Sequence, residues 1–111
     1  MVIHYARDMK RATRFYAEVF DVKATLELPG WVTLDFGSFR LALHSLPADD
    51  EGPIPHAGLN LEVDQIEEMQ KRIERLGGRM KQLIEPGNGV PVRVAMFEDT
   101  EGNGFELRQQ P

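Results

Sequence analysis

The sequence predicts an α+β fold made of two βαβββ modules, whose sheets form one cupped mixed β-sheet with the helices on its outer face. Three observations predict it. The apolar pattern runs strand, helix, three strands, and then repeats. Asp8 and Asp64 stand at the starts of the two helical stretches, and Asp21 and Gly77 close them, each 13 residues further on. A Pro-rich stretch at 47–55 separates the halves, giving modules at about 1–46 and 56–111 of a single domain.

Residues 1–7 read as a short strand, and Asp8 suits a helix N-cap. Ala12, Phe15, Tyr16, Val19 and Phe20 follow at helical spacing and form one apolar face. Residues 23–28 and 31–36 read as strands joined by a Pro29-Gly30 turn, and the chain runs back over 39–45 after Gly37-Ser38. In the second half, 57–63 alternate as a strand. Asp64 and Glu67 are spaced as a capping box, and Ile66, Met69, Ile73 and Leu76 form the next helical stripe. Gly77-Gly78 stop that helix. A strand at 79–85, a Gly/Pro loop at 86–91 and a hairpin of 92–98 with 104–109 complete the module.

The hairpin carries the main functional signal. Asp99, Glu101, Gly102, Asn103 and Gly104 form a turn between apolar flanks, with glycines free to take positive φ. Glu106 lies between Phe105 and Leu107. Strand alternation therefore aims it at the opposite face of the sheet from those two core residues. With one helix packed on each sheet, the other faces line the cup, and Glu106 looks into it.

Composition narrows the function. The net charge is −5 and no dense Lys/Arg block occurs, so neither nucleic acid nor a membrane surface is an expected partner. No Cys is present, which excludes disulfides, a thiol nucleophile and thiolate metal sites, and fits a cytoplasmic protein. No signal-peptide pattern or bilayer-length apolar run appears. Gly87-Asn88-Gly89 is too short for a nucleotide-binding fingerprint, so no nucleotide cofactor is expected. The stretch from Asp99 begins like a calcium loop but reaches Gln110 at the closing position, and strands rather than helices flank it.

Asp8-Met9-x3-Thr13-x-Phe15-Tyr16-x3-Phe20, Val63-Asp64 with its helix, and Glu98-Asp99-Thr-Glu-Gly-Asn103 followed by Phe105-Glu106-Leu107 together resemble the vicinal oxygen chelate superfamily. That group includes glyoxalase I, extradiol dioxygenases, and fosfomycin- and bleomycin-resistance proteins. The resemblance sharpens the cup to an open barrel. It also implies metal ligands on the first, fourth, fifth and eighth strands in metal-using members. The eighth-strand position matches Glu106 and the fourth-strand position falls near His44. The fifth-strand position falls at Gly58, which cannot ligate, with His56 two residues earlier. The first-strand position falls near Met1 or Ile3, neither a usual ligand. One divalent metal ion, held by Glu106, His44 and His56, is thus one of two options the resemblance leaves open.

Each candidate has a plainer alternative. Glu106 is a metal ligand, a general base, or a polar residue on a solvated sheet face. His44 shares a strand face with Ala42 and would look into the cup; His56 would be an ordinary loop histidine if not a ligand. Tyr5 and Arg7 share a face with Ile3, where Arg7 would hold an anionic group or a rim carboxylate. His4 shares the helix-side face with Val2 and Ala6 and reads as structural. Three functions compete. The chain binds a small molecule in the cup, with catalysis undecided. Or it is a divalent-metal-dependent lyase, isomerase or dioxygenase using Glu106. Or its cup is a non-catalytic dimer surface. A homodimer is expected.

Overall fold

A computed structural model describes residues 1–46, 58–87 and 91–110. The first half forms β1 (Val2–Ala6), α1 (Met9–Phe20), β2 (Lys23–Leu28), β3 (Trp31–Asp35) and β4 (Arg40–Ser45). The second forms β5 (Asn60–Glu62), α2 (Ile66–Arg75), β6 (Arg79–Ile84), β7 (Arg93–Glu98) and β8 (Gly104–Gln109). The strands make two four-stranded sheets of matching order, β1-β4-β3-β2 and β5-β8-β7-β6, each with one parallel pair at the inner end. The sheets are curved and do not close into a barrel. The duplicated βαβββ plan is therefore present; the expected linker 47–55 and residues 88–90 of the 86–91 loop lie outside the described residues.

The duplication extends to detail. Asp21 (φ 52°) and Gly77 (φ 98°) both turn the chain left-handed after their helices. The outer strands β2 and β6 are both kinked by a register shift, between Ala24 and Leu26 and between Met80 and Gln82. The helix starts differ. Asp8 caps α1, its Oδ1 accepting from Arg11 N at 3.0 Å. Asp64 does not cap α2: the boundary residue is Gln65, without a side-chain cap, and Ile66 N donates to Gln109 Oε1 at 2.8 Å. The capping-box expectation fails because Glu67 is taken by Arg93, which donates to both of its carboxylate oxygens. That grip lowers the Glu67 carboxyl to a pKa of about 2. Arg93 comes 26 residues later, beyond the reach of a local motif.

One core serves both modules. Phe15, Tyr16 and Val19 of α1, Leu34, Leu41 and Leu43 of the first sheet, Ile66 and Ile73 of α2, and Phe97, Phe105 and Leu107 of the second sheet are all buried in a single cluster. The halves pack tightly at Gly78. A Cβ there would lie 2.7 Å from Ile73 Cγ2, 2.8 Å from the Glu98 carbonyl oxygen and 2.9 Å from Phe15 Cε2. The carbonyl belongs to a paired strand and cannot step aside. Gly78→Ala should therefore cost about 2 kcal/mol and lower Tm by roughly 10 °C in a thermal melt.

Candidate functional site

The faces of the two sheets away from the helices carry the candidate residues. In the first sheet, strand register sets Tyr5, His44, Trp31 and Leu28 side by side across four strands, with Ile3, Ala42, Thr33 and Leu26 in the next row. The Tyr5 and His44 rings are 5.4 Å apart, and Trp31 meets His44 edge-on at 5.9 Å. His44 Nδ1 lies 2.6 Å from the Ser45 carbonyl oxygen. A carbonyl only accepts, so Nδ1 carries the hydrogen and Nε2 is left as the acceptor. His44 is exposed, while Tyr5 and Trp31 are half-buried.

In the second sheet, Asn60, Glu106, Met96 and Gln82 form the corresponding row. Phe105 and Leu107 are buried on the helix side, and Glu106 is half-buried on the other. Asn60 Nδ2 donates to Glu106 Oε2 at 2.8 Å, which orients the carboxylate. Asn60 is not evident as a partner from sequence, because it meets Glu106 only through the parallel β5–β8 pairing. Arg7 lies beyond the end of β1; its backbone N–H donates to Glu101 Oε1 at 3.0 Å, and its side chain lines a groove beside α1. His56 lies outside the described residues.

Beneath Tyr5, on the helix side, is a buried polar network. The Tyr16 hydroxyl donates to Asp99 Oδ2 at 2.8 Å. Its one hydrogen is thereby used, so the His4 Nδ1 contact to the same oxygen, at 2.7 Å, runs from imidazole N–H to hydroxyl. Asp99 also receives the backbone N–H groups of Glu101 and Asn103, each at 2.8 Å, and Asn103 Nδ2 at 3.1 Å. Asn103 Nδ2 donates as well to the Tyr5 carbonyl oxygen, at 2.7 Å. Burial alone would push the Asp99 carboxyl up, but His4 Nδ1, 3.4 Å away, and the hydrogen bonds from Tyr16 and Asn103 hold it below its ordinary value. Burial, reinforced by the Asp99 charge, pushes the Tyr16 phenol well up. His4 is fully buried on the helix side, as alternation predicts, and takes no part in the outer face.

Tyr5, Trp31 and His44 thus come together on one sheet, and Glu106 with Asn60 on the other. No three His, Cys, Asp or Glu residues cluster as a metal site among the described residues. Among the described residues, the candidate donors are His44 on the first sheet and Glu106 on the second.

A duplicated βαβββ chain with a helix-free face on each sheet defines a class, and comparison with known proteins gives the family. Residues 2–107 match the model of the Glyoxalase/Bleomycin resistance protein/Dioxygenase superfamily, and the chain belongs to that family. Among solved structures, it is similar to a glyoxalase/bleomycin resistance protein/dioxygenase family enzyme from Burkholderia phytofirmans (TM-score 0.80, 19% identity, covering 99% of this chain and 96% of that one). It is similar to the fosfomycin resistance protein FosX from Listeria monocytogenes complexed with Mn(II) and sulfate (TM-score 0.78, 18% identity, 98% and 86%). The bleomycin resistance determinant encoded on transposon Tn5 also matches (TM-score 0.71, 20% identity, 98% and 94%). No curated protein matches the chain by sequence. No helix among the described residues is long and apolar enough to cross a membrane.

Proposed function

We propose that this chain binds a small organic molecule on its helix-free sheet faces, acting as a cytoplasmic homodimer. The observation that carries this reading is the corner of Tyr5, Trp31 and His44: three rings in contact, with His44 Nε2 presented as an acceptor at an accessible edge. An aromatic and apolar lining with a few placed polar atoms is what a small-molecule site requires. Glu106, steadied by Asn60, supplies a second polar contact, and His56 completes the candidate set, whereas Arg7 belongs to the groove beside α1. Ile3 (37%) and Leu26 (45%) in one row and Leu28 (53%) in the next are exposed apolar side chains that a second copy of the chain would cover. Relatives in the family are named for resistance to bleomycin and fosfomycin, so these two compounds are the first to test. Trp31 is the only Trp, and its fluorescence reports on the corner directly. A ligand from a thermal-shift panel headed by these two should alter that fluorescence saturably. Tyr5→Ala and His44→Ala should each weaken its binding about tenfold without lowering Tm. Ligands indifferent to both substitutions would overturn the assignment.

The second reading is a divalent-ion site with Glu106 as ligand or base and His44 and His56 as further donors. The Glu106 position on β8 favours it, as does the Mn(II) in the Listeria structure. Of its donors, His44 stands on the first sheet and Glu106 on the second. Metal stoichiometry on protein purified without chelators or a metal-affinity tag separates the readings. About one ion per chain, lost in a folded Glu106→Gln variant, would establish the second.

A further inference from the structure

We infer that the groove between α1 and the β2–β3 hairpin is a separate binding site for an amphipathic monoanion, a carboxylate head on an apolar body. The groove encloses about 950 Å³. That is the size of a small-molecule site. Its floor is apolar: Val32, only 4% exposed, with Met9, Ala17, Leu28 and Pro29 around it. Its cations stand along one lip. Lys10 and Arg14 project from successive turns of α1, and Arg7 stands at the end of the groove where β1 gives way to the helix. Arg14 is paired with Glu18 at 2.8 Å, but both side chains are more than half exposed, and such pairs exchange readily for another anion.

The two acids in the lining sharpen the specificity. Asp8 is turned toward its own helix, capping Arg11 N. Glu27 stands on the hairpin wall, opposite the cationic lip. An anion is therefore welcome at one side of the groove and repelled at the other, which selects a single charged head over a diacid. Val32 faces α1, while its neighbours Trp31 and Thr33 face away from the helix. The sheet thus stands between this groove and the Tyr5–Trp31–His44 corner, with Leu28 at the end of β2 bordering both, and substitutions at Tyr5 and His44 test the two sites apart.

Decanoate below its micellar concentration is the probe, followed by isothermal titration calorimetry. One saturable site per chain is expected. The double variant Lys10→Glu, Arg14→Glu, whose changes lie on the exposed side of α1, should weaken it at least tenfold with Tm unchanged. Decanedioate should bind several-fold more weakly than decanoate. Tyr5→Ala and His44→Ala should leave decanoate affinity intact, even where they abolish binding at the other face. The proposal is overturned by absence of saturation at millimolar decanoate, or by equal affinity for decyltrimethylammonium. Unchanged affinity in the charge-reversed variant, or loss in Tyr5→Ala alone, would overturn it as well.

Discussion

Phe105→Ala is expected to destabilise the chain by about 4 kcal/mol, the cost of deleting a large buried ring and leaving its cavity. The size of the loss follows from the position. Phe105 is 1% exposed. Its ring lies 5.6 Å from Phe97, stacked, within its own sheet. Its other ring neighbours, Phe15, Tyr16 and Phe20 at 6.2, 6.1 and 6.1 Å, all belong to α1 of the first module. Deletion therefore strips contact between modules as well as within one. Guanidinium denaturation followed by Trp31 fluorescence and by far-ultraviolet circular dichroism tests this. The two curves should coincide in the parent chain. In Phe105→Ala the midpoint should fall sharply and the curves should separate, because Trp31 reports only the first module. A loss below about 1.5 kcal/mol would mean that the halves are held together elsewhere.

Asp99→Ala should cost roughly 3 kcal/mol or more, because it removes the shared acceptor of donors on α1 and in the β7–β8 turn at once. Those donors are the Tyr16 hydroxyl on α1 and the backbone N–H groups of Glu101 and Asn103 in the turn. Asp99→Asn keeps the shape and should lose less. The pH dependence has a defined sign. The folded-state pKa of Asp99 is depressed below 3.8, so its contribution is present above that pH and disappears as pH falls through the lower folded value. Stability of the Asp99→Asn variant should accordingly vary less between about pH 4 and pH 2 than that of the parent. Tyr16 has a raised folded pKa, so its contribution is present below its ordinary value of 10.0 and is lost as pH climbs beyond it. Tyr16→Phe should reduce the loss of stability above pH 10. Urea titrations across pH, compared between parent and variants, measure both slopes.

Much of this arrangement is legible in the sequence, and the illegible parts share a cause. The helical face Ala12-Phe15-Tyr16-Val19 is encoded by spacing and is buried as expected. The side of the sheet on which His4 and Glu106 lie follows from strand alternation and from neighbouring core residues. Their partners do not. Tyr16 and Asp99 meet across 83 residues, Asn60 and Glu106 across 46, and Arg93 and Glu67 across 26. The first two meetings depend on how the modules and parallel strands dock, which no local pattern records. The third removes a capping interaction that a local pattern does predict. The candidate site is legible to the same degree: the residues facing outward are identifiable, but the Tyr5–His44 contact depends on the parallel register of β1 with β4.

The kinks in β2 and β6 bear on how copies of this chain assemble. A straight peripheral strand offers its unpaired amides and carbonyls as a template, and chains so joined can extend without limit. A bulge on each periphery twists that template out of alignment at equivalent points of both sheets. Edge-to-edge growth through β2 and β6 is thereby disfavoured.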